Sequence, residues 1–142
     1  MNVRLAFLLA AVFGATAVTL GAYAAHGMEE RLIASDVQED VIQHRVENAQ
    51  IAVRYQLSHT VAMLVLASFS ASGYSRCLGI AQWLFVAGMI FFCGGLILFA
   101  VTGEIGHWAI IPVGGLSLIL GWCFLAVHAI FCWPFDAPAT PG

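Results

Sequence analysis

Seven polar or ionisable residues stand at the ends of long uncharged runs: His26, Arg54, Tyr55, Gln56, His59, Glu104 and His107. Tyr55 and His59 are four apart, so on a helix they share one face. Imidazoles change charge near neutral pH and bind metals, and ionisable groups inside membrane segments usually face the bundle interior. Three chemistries fit the set. The polar groups can hydrogen-bond the open carbonyls at the end of the first helix, with His26 as a cap. His26 and His59 can act as two imidazole ligands for a metal or haem. The cluster can also form a small site for a lipid, a quinone or a proton relay. No Ser-His-Asp order, H-E-x-x-H motif or glycine-rich phosphate loop accompanies it, so neither catalytic residues nor an enzyme are expected. Cys77, Cys93, Cys123 and Cys132 form no C-x-x-C pair and read as buried thiols acting as small apolar residues, with no metal or cofactor expected.

The elements that position these residues are set by charge. Leu5 to Ala25, Leu57 to Ser75, Cys77 to Gly103 and Ile105 to Phe135 contain no charged residue. Each is long enough to cross a bilayer core of roughly 30 Å. The expected fold is all-α: a four-transmembrane-helix bundle with spans over about 4–26, 55–73, 77–102 and 107–133, and an irregular, proline-rich tail over 134–142. Hydrophobic residues make up 61% of the chain and charged residues 9%, so lipid must cover its surface. The net charge is −3, and all five basic residues are arginine, without a basic patch for nucleic acid. Ala22-Tyr23-Ala24 fits a signal-peptidase pattern, but the apolar run exceeds a usual signal core and is expected to stay as the first helix.

Between the first two spans, residues 28–54 carry most of the charge. Gly27 fits a left-handed helix cap. Ser35 and Gln38 read as a capping box. Ile33, Val37, Val41, Ile42, Val46, Ala49 and Val53 form an apolar stripe. One long helix is expected from Ser35, amphipathic over 35–54 and then spanning. Pro112 sits early in the fourth span, which Trp108 and Trp133 bracket. Gly14 and Gly21, then Ala81, Gly88 and Gly95, then Gly114 and Gly121 recur every seven residues. Small residues at that spacing let helix backbones approach in a tight left-handed bundle. With four spans, Arg4 and Arg76 share one side, and Arg4 before the first span favours cytoplasmic termini.

Several motifs resemble those of the domain of unknown function 423 family, small membrane proteins that include transmembrane protein 256. Gly21-Ala22-Tyr23-Ala24-Ala25-His26 is similar to the end of the family's first helix, and Arg54-Tyr55-Gln56-Leu57-Ser58-His59 to its tyrosine-glutamine-x-x-histidine entry to the second. Phe92-Cys93-Gly94-Gly95-Leu96 resembles its third helix; Pro112-Val113-Gly114-Gly115 and Gly121-Trp122 resemble its fourth. The resemblance runs roughly from Arg4 to Phe131. Ala24 replaces a usual glycine, Ile111 a frequent threonine, the amphipathic segment is longer, and the basic tail of many bacterial members is missing. The resemblance implies four helices and cytoplasmic termini in bacteria, without an established activity.

The expectation is a small integral protein of the bacterial inner membrane, structural or an accessory subunit of a larger assembly. Its partners would be the lipid bilayer and other membrane subunits or further copies of itself, not nucleic acid. The alternative is a bundle that binds a lipid, quinone, haem or metal through the His26/His59 face.

Overall fold

The computed structural model of the chain describes residues 1–72, 76–104 and 106–131, which are helix apart from short irregular segments and turns. The helices are α1 (Val3–His26), α2 (Met28–Ala34), α3 (Glu39–Ser72), α4 (Arg76–Gly88), α5 (Gly94–Thr102) and α6 (Ile110–Phe131). A π-helical turn, Met89–Cys93, joins α4 to α5, so Arg76–Thr102 is one rod. Among the described residues, three helices are long and apolar enough to cross a membrane: α1, the α4–α5 rod and α6. The second expected span does not qualify. It is the latter part of α3, whose apolar residues are interrupted by Gln56, His59 and Thr60 after the charged Glu47 and Arg54.

Helix ends differ from expectation where local hydrogen bonds win. Ser35 does not open α3. Its hydroxyl donates to the Arg31 carbonyl at 2.9 Å, so it closes the unexpected short helix α2. Asp36 then turns with a φ of 56°, a conformation that Asp tolerates better than most residues, and α3 begins only at Glu39. The left-handed cap is at Gly103 (φ 79°), closing α5, not at Gly27 (φ −126°). At Gly27 the chain passes directly into α2. Asn2 caps α1, its Oδ1 accepting from the Arg4 N–H at 3.0 Å. Pro112 lies in the first turn of α6, where a missing N–H costs no helical bond. The expected turn at 73–75, the tail from 134 and Trp133 lie outside the described residues.

α1 packs along α3, the α4–α5 rod packs along α6, and α3 joins the two pairs. Glycines mark the close approaches. A Cβ on Gly114 would collide with the backbone of Phe91 and Phe92, and one on Gly88 with Leu118. Gly14 and Gly21 lie against Thr60 and Val53 of α3. Two apolar clusters result. The larger, including Ala10, Met63, Phe85, Met89 and Leu118, fills the bundle. The smaller, Ala24, Met28, Leu32, Ile42, Ala49 and Ala100, lies under the arm formed by α2 and the start of α3. Outward faces of α1 and α6 expose Leu8, Val18, Leu116, Ile119 and Ile130, as lipid contact requires. Among the described cysteines, all free, Cys93 is buried as expected and Cys77 half-buried, but Cys123 is exposed on the outside of α6.

Candidate functional site

The buried face of α3 carries the site. Ile42, Arg45, Ala49, Ala52, Gln56, His59, Thr60, Met63, Leu66 and Ala67 are all buried, at the three- and four-residue steps that keep one helix face inward. Four of them are polar, and they reach every neighbouring rod. Arg45 Nε donates to the Ala100 carbonyl at 2.8 Å and its Nη2 to the Val101 carbonyl, closing the C-terminus of α5. Gln56 Nε2 donates to the Phe13 carbonyl (2.9 Å) and to Thr16 Oγ1 (2.7 Å) on α1. The indole N–H of Trp122 on α6 donates to His59 Nε2 at 3.1 Å. Thr60 lies 3.9 Å from the Met89 sulfur in the π turn. Polar side chains of this kind hold helices together where lipid removes the hydrophobic drive.

The bonds fix the state of His59. Indole only donates and a carbonyl only accepts. With Nε2 accepting from Trp122, Nδ1 carries the proton and donates to the Tyr55 carbonyl at 2.7 Å. The ring is the neutral Nδ1–H tautomer, packed edge-on against Phe85 (centroids 5.2 Å apart).

The seven residues singled out from the sequence do not converge. Register is the cause. Gly14 opposite Thr60 and Gly21 opposite Val53 make α1 and α3 antiparallel, with His59 beside Ala15 and His26 beside Asn48. The two histidines are thus about eleven residues apart along α1, roughly 16 Å at about 1.5 Å per residue, and form no ligand pair. Gln56 bonds the middle of α1 rather than its end, which is closed by the Gly27 N–H donating to the Tyr23 carbonyl (2.9 Å), not by His26. His26 and Arg54 are exposed. Tyr55 is half-exposed and its ring packs on Phe92 (5.0 Å). Glu104 and His107 are exposed at the far end of α5, near the level of Arg45, with His107 stacked on Trp108. No group of three His, Cys, Asp or Glu suited to a metal occurs among the described residues.

Among the buried polar residues that were missed, two stand out. Arg45, 7% exposed, sits on the same stripe as Ile42, Val46 and Ala49; a charge on an apolar face was the available signal. Gln82, fully buried in α4, has neither amide atom hydrogen-bonded. A lone glutamine in the apolar run from Cys77 was its signal.

A chain whose described residues are helical, with three membrane-length apolar helices among them and polar groups turned inward, is a membrane protein. Residues 20–115 match the family model described as "Protein of unknown function (DUF423)", and the chain belongs to that family. It is 32% identical to the UPF0382 membrane protein YwdK of Bacillus subtilis, covering 87% of this chain and 94% of that one. It is also 32% identical to the UPF0382 inner membrane protein YgdD of Escherichia coli, covering 92% of each. A UPF0382 membrane protein of Staphylococcus aureus is 32% identical as well, over 87% of this chain and 93% of the relative. No solved structure gives a significant match.

Proposed function

We propose that the chain is a non-catalytic four-span scaffold of the bacterial inner membrane, an accessory subunit in which α3 is the second crossing. One observation carries this: α3 lies against α1 along its length and bonds the other spans through Gln56, His59 and Arg45. A bilayer that surrounds α1 must then also hold roughly residues 48–71 of α3. Spanning backbone satisfies its own hydrogen bonds in a helix, and the buried polar side chains Gln56, His59 and Thr60 face helices, while Gln50 and Arg54 are exposed near the outer end of the crossing. The inward polar groups serve to hold the bundle, which supports a structural role over chemistry. The glycine stripes support internal packing and not contact between copies, since Gly14 and Gly21 meet α3 and Gly88 and Gly114 meet the facing rod. What remains for a partner is the arm, which exposes Glu29, Glu30, Glu39, Asp40 and Glu47. The termini are placed in the cytoplasm on the strength of Arg4 and Arg76.

Topology mapping tests this. With the native cysteines replaced, Arg4→Cys, Glu30→Cys, Arg76→Cys and Glu104→Cys are labelled in intact cells by a membrane-impermeant maleimide. Four crossings expose Glu30→Cys and Glu104→Cys on the outside together and protect the other two. If α3 does not cross, Glu30→Cys and Glu104→Cys fall on opposite sides, and the proposal fails. Loss of a larger native complex on reversing the arm's acidic charges, with the topology unchanged, is the expected sign of a subunit role.

A further inference from the structure

Charge on the arm is sorted into two cavities. One, of about 390 Å³, is lined by Glu29, Glu39 and Glu47 without a basic residue. The other, of about 220 Å³, is lined by Arg31 and Arg45 with no carboxylate among the described residues, and is walled by Tyr23, Leu32 and Thr102. Two of the five arginines of the chain thus meet in one cavity, within a segment whose net charge is negative.

Arg45 is the telling residue. It is 7% exposed and, among the described residues, no carboxylate pairs with it. A buried charge without a counter-charge is costly. The α5 carbonyls offset part of that cost through the negative end of the helix. They use Nε and one Nη2 proton, whereas a guanidinium has five N–H donors in a planar fork, so three stay available at the cavity. Arg31 adds a second, exposed guanidinium whose side chain is not engaged by a carboxylate among the described residues. Paired arginine forks match the oxygens of a phosphate.

The depth of the cavity indicates where the phosphate comes from. Tyr23 lies near the end of α1 and Thr102 ends α5, so the cavity opens where two spans leave the bilayer, at headgroup level. Basic pockets between membrane helices hold anionic headgroups, best known on the cytoplasmic side; here the two arginine forks would serve the same chemistry in the outer leaflet of the topology proposed above.

We propose that the Arg31–Arg45 cavity binds the phosphate of an anionic phospholipid headgroup. The inference relies on the membrane placement above only in choosing lipid over a soluble phosphate.

The test uses the full-length protein purified in a neutral detergent, with thermal unfolding followed against added phosphatidylglycerol, phosphatidylcholine or inorganic phosphate. Phosphatidylglycerol is expected to raise Tm saturably by several degrees and phosphatidylcholine to leave it unchanged. Arg31→Gln, at an exposed residue, should keep the lipid-free Tm and weaken the phosphatidylglycerol response about tenfold or more, the usual scale for one charge-assisted hydrogen bond. Arg4→Gln removes the same charge from the opposite end of α1 and should respond as the wild type does. An equal, Arg31-dependent shift with inorganic phosphate would assign the site to a soluble anion and overturn the lipid. Absence of a shift with either, or equal responses in Arg31→Gln and wild type, overturns the site itself. Topology labelling reads the four-span proposal separately, so the two can fail independently.

Discussion

Two glutamines in the bundle interior make opposite contributions. Gln56 spends its amide N–H groups on the Phe13 carbonyl and the Thr16 hydroxyl. Gln82 is as deeply buried and bonds nothing through either amide atom. A satisfied interhelical bond in a membrane protein contributes about 0.6 kcal/mol on average and up to about 1.7, because the unfolded chain in lipid finds substitutes. An amide buried without a partner costs about 1–3 kcal/mol by mutational measures. Replacing each by leucine, similar in volume and apolar, therefore changes stability in opposite directions. Gln56→Leu should destabilise by about 1 kcal/mol and Gln82→Leu should stabilise by about 1–3 kcal/mol, read as denaturation midpoints in detergent. A destabilised Gln82→Leu would mean that the amide has a partner the packing around α4 does not show.

Among the elements, the contact of the α4–α5 rod with α6 is set by glycine more than by hydrophobicity. Gly114 has the Phe91–Phe92 backbone against it, and backbone cannot rotate away as a side chain does. Gly114→Ala should cost at least about 2 kcal/mol, at or above the middle of the overpacking range. Gly94, next to Cys93 on the same rod, has nothing within 4 Å of an added Cβ; Gly94→Ala should be neutral or stabilising by up to about 1 kcal/mol through helix propensity. Comparable losses in both variants would contradict the packing of α6 on the rod. The helices were largely legible in the sequence: uncharged length marked α1, the α4–α5 rod and α6 as membrane-length, but not the run from Leu57, whose polar residues keep the latter part of α3 from qualifying, and seven-residue glycine spacing marked close contacts. Ends were less so. Ser35 and Gln38 match a capping box, yet the carbonyls of α2 compete for the same hydroxyl. The polar set was found but misassembled. Which residue of α3 faces His26 depends on a register that begins well before the charge-free part of α3, and charge-free length does not report register. Arg45 was passed over because it sits among carboxylates in sequence while the fold turns it onto the end of α5.

At the scale of the whole molecule, the two apolar clusters are held by different forces. On the four-span placement proposed above, the larger lies at bilayer depth, where lipid tails are as apolar as the core and the spans associate through packing and polar contacts. On the same placement the smaller one, around Met28, Leu32, Ile42 and Ala49, lies at the water-facing end, where burial of apolar surface stabilises by about 25 cal/mol per Å². Urea weakens the second kind of burial by solvating apolar and peptide groups and has little purchase on segments sheathed in lipid. Moderate urea in bilayer nanodiscs should therefore open residues 28–44 first, seen as rapid hydrogen exchange, while residues 52–70 of α3 stay protected. Arg45 is the tie between the arm and the end of α5, so Arg45→Ala should raise exchange over 28–44 by about ten- to hundredfold without urea, equivalent to losing about 1.4–3 kcal/mol of local stability. Exchange over 52–70 should not change. Were both regions to open together in either experiment, the clusters would be one cooperative unit, and the arm could not bind lipid or partner without loosening the bundle beneath it.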